Sequence, residues 1–315
     1  MKEKSNFPLV SIITPAYNAM PFLKTTIESV LNQKYPNLEH IIFDGESTDD
    51  SIELLKSYSH LIWVSEKDKG QSHALNKGFA IAKGEIIGWL NADDTYTPGS
   101  IRKAVSFLMD HPEFDMVGTD VNIIDENNLV IGKAIGGETD VVDLLGRNLI
   151  KQPSLFMRRS ILDELKGVNE DFHYIMDQEF WVRAFMNGFH YKYLIGECFA
   201  NFRLVKGTKT YESGLAFDEE WHNYTLKIIN ESYFDFLSLS QKNKILSNSF
   251  MKLNFSKMQL AIRRNEKWKS IKYFFITIRY QPSIIFNLSL TKLFVFGLIS
   301  KEHNRLKKFK KNVRN

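Results

Sequence analysis

Two adjacent carboxylates, Asp93 and Asp94, follow Asn91 and Ala92 at the end of the apolar run 85–90. Like charges this close repel. They become tolerable where a divalent cation lies between them and an anionic ligand. Mg²⁺ or Mn²⁺ is the natural partner, held by one or two carboxylates plus phosphate oxygens. The same residues also fit a solvated turn in which Asp93 or Asp94 caps the next helix. Asp44 ends a second apolar run, in HIIFDGESTDD. A carboxylate there can accept a hydrogen bond from a nucleotide base or ribose, and Asp-Gly is equally a common turn. Asp177 opens DQEFWVRAFMNG, either as a helix cap or as a general base toward a hydroxyl. Glu179 competes with it, but two residues along a helix it points elsewhere. Arg203, Lys206 and Lys209 gather in FRLVKGTKT. Beside a metal–diphosphate site they would neutralise a departing diphosphate, and without one they are a basic loop.

Positioning these groups falls to an alternation of strands and helices. Residues 9–14, 40–44, 61–65, 85–90 and 116–121 read as strands, and Pro15 is expected to stop the first. Helical patterns fill 21–34, 72–82 and 99–110, and another begins near Ile52. Such alternation implies βαβ units and an α/β fold with a mostly parallel sheet, whose ligands sit beyond the carboxyl ends of the strands. Residues 14–18, 44–50 and 91–94 would then share one rim. Residues 122–138 read as a hairpin turning near Asn127 and Asn128. Short helices follow at 140–147 and 160–165. The helix opened by Asp177 ends with Gly188 at C′, and separate strands are expected at 191–195 and 198–203. From about 216 the pattern is helical. The expected domains are 1–215, carrying the site, and 216–315, helical and basic.

The 315 residues are 43% hydrophobic and 13% aromatic, enough to exclude disorder as the main state. One cysteine, Cys198, excludes a disulfide scaffold and a cysteine zinc site. The first ten residues hold charge but no apolar stretch, so no secretory leader is expected. Charge is divided unevenly. Residues 1–241 carry 23 Lys+Arg against 35 Asp+Glu, and residues 242–315 carry 18 against 2. The run 284–299 is too short to span a bilayer at ~20 residues and suits a helix lying in the interface, with 301–314 on anionic headgroups. An amphipathic subdomain packed on the body is the plainer alternative. Nucleic acid is not expected as a partner, because the acidic body would oppose it.

SIITPAYNA, HIIFDGESTDDSI, EKDKGQSHALNKGFAIAKGEIIGWLNADD and MDQEFWVR, in this order and spacing, resemble the inverting glycosyltransferases of family 2, with the GT-A fold. The likeness covers about residues 9–210. It implies transfer of a sugar from a nucleotide-sugar donor to a glycan or lipid-linked acceptor, with Mg²⁺ or Mn²⁺, in bacterial surface polysaccharide synthesis. The implied place is cytoplasmic and peripheral, on the inner face of the membrane. Carried onto this sequence, Pro15, Ala16 and Tyr17 line the nucleoside pocket and Asp44 binds the base. Lys69, Gly70, Gln71 and Asn76 shape the donor site, with Lys209 on the nucleotide-sugar. The DXD motif falls on Asn91-Ala92-Asp93, making Asp93 the metal ligand with Asp94 beside it. Asp177 is the base, and Gln152-Pro153 lies near the acceptor side. Three positions depart from the pattern: Asn91 replaces the first Asp of DXD, Met176 replaces an acid before the base, and Val205-Lys206 stands where many relatives carry a His. Asn91 and Met176 leave open a catalytically silent nucleotide-sugar-binding or scaffolding protein. A dinucleotide oxidoreductase is excluded, because no G-x-G-x-x-G follows the first strand.

Overall fold

The computed structural model describes residues 7–280, so the run 284–299 and the basic end 301–314 lie outside the described residues. The chain divides into two compact units, with the boundary between Tyr211 and Glu212. The first unit begins β1 (Val10–Ala16), α1 (Leu23–Leu31), β2 (Leu38–Asp44), α2 (Ser51–Lys56), β3 (Leu61–Ser65), α3 (Gln71–Ile81) and β4 (Ile86–Trp89). It continues with β5 (Thr95–Tyr96), α4 (Ser100–Asp110), β6 (Met116–Ile124), β7 (Val130–Ala134), α5 (Val141–Gly146), β8 (Phe156–Arg158) and α6 (Arg159–Leu165). It closes with α7 (Met176–Met186), β9 (Tyr191–Arg203) and the single turn α8 (Lys209–Glu212) at the boundary. A 3-10 turn, Gln152–Ser154, precedes β8.

Among the described residues the strands form one nine-stranded sheet, ordered β3-β2-β1-β4-β8-β6-β9-β5, with β7 also paired to β6. The segment β3-β2-β1-β4 is wholly parallel. Strand β1 is buried along its whole length, as a central parallel strand must be when helices cover both faces. Helix α4 shows why one face is covered. It buries Ile101, Ala104, Val105 and Leu108, the i, i+3, i+4, i+7 stripe of an amphipathic helix. That stripe joins Val10 and Ile12 of β1 and Val30 of α1 in one core cluster. On the other face α3 approaches so closely that a Cβ on Gly78 would meet Ile13 at 2.5 Å.

Two elements differ from the sequence expectation. Strand β1 runs through Pro15 to Ala16 instead of stopping before it. The reason is local: β4 pairs with β1 only as far as Ile13, so Pro15 has a strand neighbour on the β2 side alone and its missing N–H is tolerated. The two strands expected at 191–195 and 198–203 are one strand, β9, interrupted by a bulge. Between Gly118 and Asp120 of β6 the register on β9 jumps from Tyr193 to Cys198. Gly196, at φ 82°, absorbs the extra residues.

The second unit contains α9 (Gly214–Ile228), α10 (Leu239–Arg263) and α11 (Lys267–Tyr280). Ser238 and Gln241 form a capping box at the start of α10, which fixes where that long helix begins.

Candidate active site

The parallel register sets the rim of the site. Ala16, Asp44 and Ser65 stand opposite one another at the ends of β1, β2 and β3, and β4 delivers residues 91–94 beside them. Beyond Ala16 the chain leaves the sheet, with Tyr17 63% exposed over the rim. Asn18, at φ 47°, ties this loop to the next one. Its N–H donates to Ser47 Oγ at 2.7 Å, and its Oδ1 accepts from Thr48 N–H at 2.8 Å. Asp44 is buried. Ser47 N–H (2.9 Å) and Ser65 Oγ (2.7 Å) donate to Oδ2, while Ser47 Oγ donates to Oδ1.

A chain of amides links three more segments. Asn91 Oδ1 accepts from Gln71 Nε2 and from Trp89 Nε1, each at 2.9 Å. Asn91 Nδ2 donates to Gln152 Oε1 at 3.1 Å and lies 3.4 Å from Asp94 Oδ2. Gln152 Nε2 returns a bond to the Trp89 carbonyl at 2.6 Å. Lys209 Nζ reaches Gln71 Oε1 at 3.4 Å and donates to the His173 carbonyl. Gln71, Asn91, Asp94, Gln152 and Lys209 are thus one connected group. Gly70, at φ 118°, is the backbone hinge that starts α3 with Gln71 at this spot, a conformation that suits glycine.

The two acidic residues of residues 91–94 differ. Asp94 is fully buried, and its Oδ1 accepts the Arg203 N–H at 2.9 Å. Burial and the neighbouring Asp93 charge hold its carboxyl well above the ordinary range. Asp93 is half-buried, and burial also raises it, opposed by its own backbone N–H and the Arg203 charge. Among the described residues no cationic side chain lies within ion-pair distance of Asp93. Nor do three or more carboxylate, His or Cys ligands cluster anywhere among them. One or two carboxylates whose charge is unfavourable when alone fit a Mg²⁺ or Mn²⁺ completed by phosphate and water, and do not fit an all-protein metal cage.

Asp177 sits in the first turn of α7. Burial raises its carboxyl, while the Gln178 and Asp177 N–H groups and the charges of Lys209 and Lys151 pull it down. Glu179 is spent elsewhere: its carboxylate forms a bidentate pair with Arg183, at 2.7 and 3.0 Å. Arg183 in turn holds the carbonyls of Leu165 and Gly167.

Sequence comparison decides the family: the model of glycosyl transferase family 2 matches residues 11–175, more than half the chain. The chain belongs to that family. It is a glycosyltransferase. The Bacillus subtilis protein named for teichuronic acid biosynthesis, TuaG, is 27% identical over 226 residues, covering 69% of this chain and 87% of TuaG. A PGL/p-HBAD biosynthesis glycosyltransferase of Mycobacterium bovis is 28% identical over 186 residues, 57% of this chain and 71% of that protein. The fold is that of solved GT-A enzymes. TarS of S. aureus in complex with UDP-GlcNAc aligns at TM-score 0.62 and 18% identity, over 92% of this chain and 89% of that one. The mannosyltransferase PcManGT of Pyrobaculum calidifontis, in complex with GDP-Man and Mn²⁺, aligns at TM-score 0.60 and 18% identity, over 95% and 89%.

The transferase places some sequence candidates away from the connected group. Both ends of the Asn76 amide are committed to the loop before α7. Nδ2 donates to the Val168 carbonyl and to Glu170, and Oδ1 accepts Val168 N–H, each at 2.9 Å. Arg203 is fully buried. Its guanidinium holds the Asp93 and Asp125 carbonyls and Asn128 Oδ1, and it stacks 4.4 Å over Phe22. Its work is to clamp residues 91–94 to the turn of the β6–β7 hairpin. One residue escaped the sequence reading. Lys151 is half-buried, donates to the Asn148 carbonyl at 3.1 Å, and its charge acts on Asp177. Burial lowers its pKa, against the charges of Asp120 and Asp177. Its place directly before Gln152-Pro153 is the signal that could have found it.

Proposed function

We propose that this transferase moves a sugar, with inversion, from a nucleotide-sugar donor to a hydroxyl of a glycan or lipid-linked acceptor. Its setting is bacterial surface polysaccharide synthesis at the cytoplasmic face of the membrane. The observation that carries the reading is the contrast between Asp177 and Glu179. Glu179 is neutralised by Arg183, whereas Asp177 has no such partner and stands next to the segment linked to Asn91 and Lys209.

In this reading Tyr17 and Pro15–Ala16 border the nucleoside, and Asp44, already holding the loop at Ser47, meets the base at the end of β2. Asp93 holds the cation, with Asp94 beside it. The cation supplies charge neutralisation at the diphosphate. Lys209 adds a positive group on the same side, and Gln71 fixes where it lies. Asp177 takes the proton from the acceptor hydroxyl as that oxygen attacks the anomeric carbon from the face opposite the leaving group. One displacement needs one base, so a second reactive carboxylate is not required. The two departures that favoured a silent protein have packing explanations. Met176 is buried and its sulfur accepts from Ser72 Oγ at 3.1 Å, so an acid there would be buried against α3. Asn91 needs both ends of its amide.

Asp177→Asn should lower turnover by about 10² to 10⁴, the contribution of a positioned base, while donor affinity is kept. Transfer kinetics with calorimetric donor binding, and the anomeric configuration of the product by NMR, check both halves. Normal turnover in Asp177→Asn, or a product that retains the donor configuration, would remove the proposal.

A further inference from the structure

Helix α11 turns Ile271, Tyr273 and Phe274 toward Met258 and Ile262 of its own unit, yet leaves Trp268 and Phe275 on its outer face. Ser270 and Thr277 are each 1% exposed, and their hydroxyls are satisfied within the helix, at 2.7 Å to the Lys267 carbonyl and 2.8 Å to the Tyr273 carbonyl. Trp268 is 84% and Phe275 65% exposed. Lys272 and Arg279 are exposed as well. The four residues are spaced by four, three and four. At 3.6 residues per turn they fall within an arc of about 60°, directly opposite Ser270 and Thr277. The face therefore reads Trp-Lys-Phe-Arg from one end of the helix to the other. Among the described residues neither Lys272 nor Arg279 has a carboxylate within ion-pair distance, whereas Lys269 is paired with Glu266 at 3.1 Å.

We propose that this face of α11 docks on an anionic lipid surface, with Trp268 and Phe275 entering the headgroup–acyl boundary and Lys272 and Arg279 pairing with lipid phosphates. The proposal rests on the reading of a membrane-side transferase given above and names the residues that make the contact. Exposed aromatics on one side of a helix, interleaved with cations, match both layers of such an interface. A protein partner of the same sequence fits worse. In parallel pairing across a two-fold axis each cation would face its own copy, and in antiparallel pairing Lys272 and Arg279 would be covered by Phe275 and Trp268 with no carboxylate to pair them. Nucleic acid fits worse too, since residues 1–241 carry 35 acidic against 23 basic residues.

The experiment is flotation of the full chain with vesicles of phosphatidylcholine alone and of phosphatidylcholine with 30% phosphatidylglycerol. Two variants are compared with the wild type, Trp268→Ser/Phe275→Ser and Lys272→Gln/Arg279→Gln. The wild type is expected to float with the anionic vesicles. At about 1 kcal/mol per cation near such a surface, the charge variant should bind roughly 30-fold more weakly. The aromatic variant should lose binding at least as strongly, and in the wild type brominated lipid should quench fluorescence that Trp268→Phe removes. Equal flotation of wild type and aromatic variant overturns the proposal and assigns lipid contact to other residues. A change of oligomeric state in that variant, or retention of DNA by the wild type that either variant abolishes, overturns it in favour of a protein or nucleic-acid partner. Thermal shift with UDP- and GDP-sugars is run on the same samples. Donor binding that persists while flotation fails sinks this inference alone, and absence of donor binding sinks the transferase reading instead.

Discussion

Asn91 illustrates how a single atom type sets the site. Its oxygen accepts from Gln71 and Trp89 while its nitrogen donates to Gln152 and faces Asp94. A carboxylate of the same shape would lose the donor and set a negative charge against Gln152 Oε1 and Asp94. Asn91→Asp should therefore destabilise the protein by about 1–3 kcal/mol, the cost of leaving such buried groups unpaired. A fall in denaturation midpoint at unchanged slope checks this, and an unchanged midpoint would contradict it. Lys151 makes a second case. It is a cation near Asp177, so it favours the ionised base and lowers the pH at which Asp177 loses its proton. Removing that charge raises the Asp177 pKa, leaving more of the base protonated at any given acid pH. The acid limb of the kcat/KM profile should then move up by roughly half a unit to one unit in Lys151→Met, and stay in place in Lys151→Arg. An identical profile in all three proteins would show that Lys151 does not act on the base.

At the scale of elements, the bracket between α3 and the loop before α7 joins the donor side to the base. Asn76 spends its whole amide on Val168 and Glu170, and Ser72 Oγ donates to the Phe172 carbonyl at 2.9 Å. Asn76→Ala should lower stability by about 1–3 kcal/mol, through the unpaired Val168 groups. It should reduce kcat more than donor affinity, because it releases the base-bearing end. Equal losses in both would place Asn76 on the donor instead, where the resemblance had put it. The strands and helices of the parallel half were legible in the sequence because each alternates an apolar run with a 3.6-residue stripe, as in Ile101, Ala104 and Leu108. The carboxylates at strand ends were legible for the same reason, since the topology alone carries them to one rim. Three features were not. Pro15 lies inside a strand because β4 ends early, which is a fact about a neighbour. The β9 bulge depends on the register of β6. The buried clamp of Arg203 looks like any loop cation until the hairpin turn at Asp125 is seen to fold against it.

For the whole molecule, charge and site chemistry point to two surfaces with different tasks. Residues 1–241 carry 35 acidic against 23 basic side chains, and the residues after 241 carry 18 basic against 2 acidic side chains. Among the described residues no helix is long and apolar enough to cross a membrane, and the proposed lipid contact lies on the exposed face of α11. The proposed transfer follows from one premise, that Asp93, with Asp94 beside it, holds a cation shared with a nucleotide diphosphate. Calorimetric titration with UDP-, GDP- and dTDP-sugars, each with and without Mn²⁺, tests that premise most directly when wild type and Asp93→Ala are run side by side. The account predicts one donor class bound at one site per chain only when Mn²⁺ is present, and bound poorly by Asp93→Ala. Uptake of no donor by the wild type, or the same Mn²⁺-dependent uptake by Asp93→Ala, would contradict it.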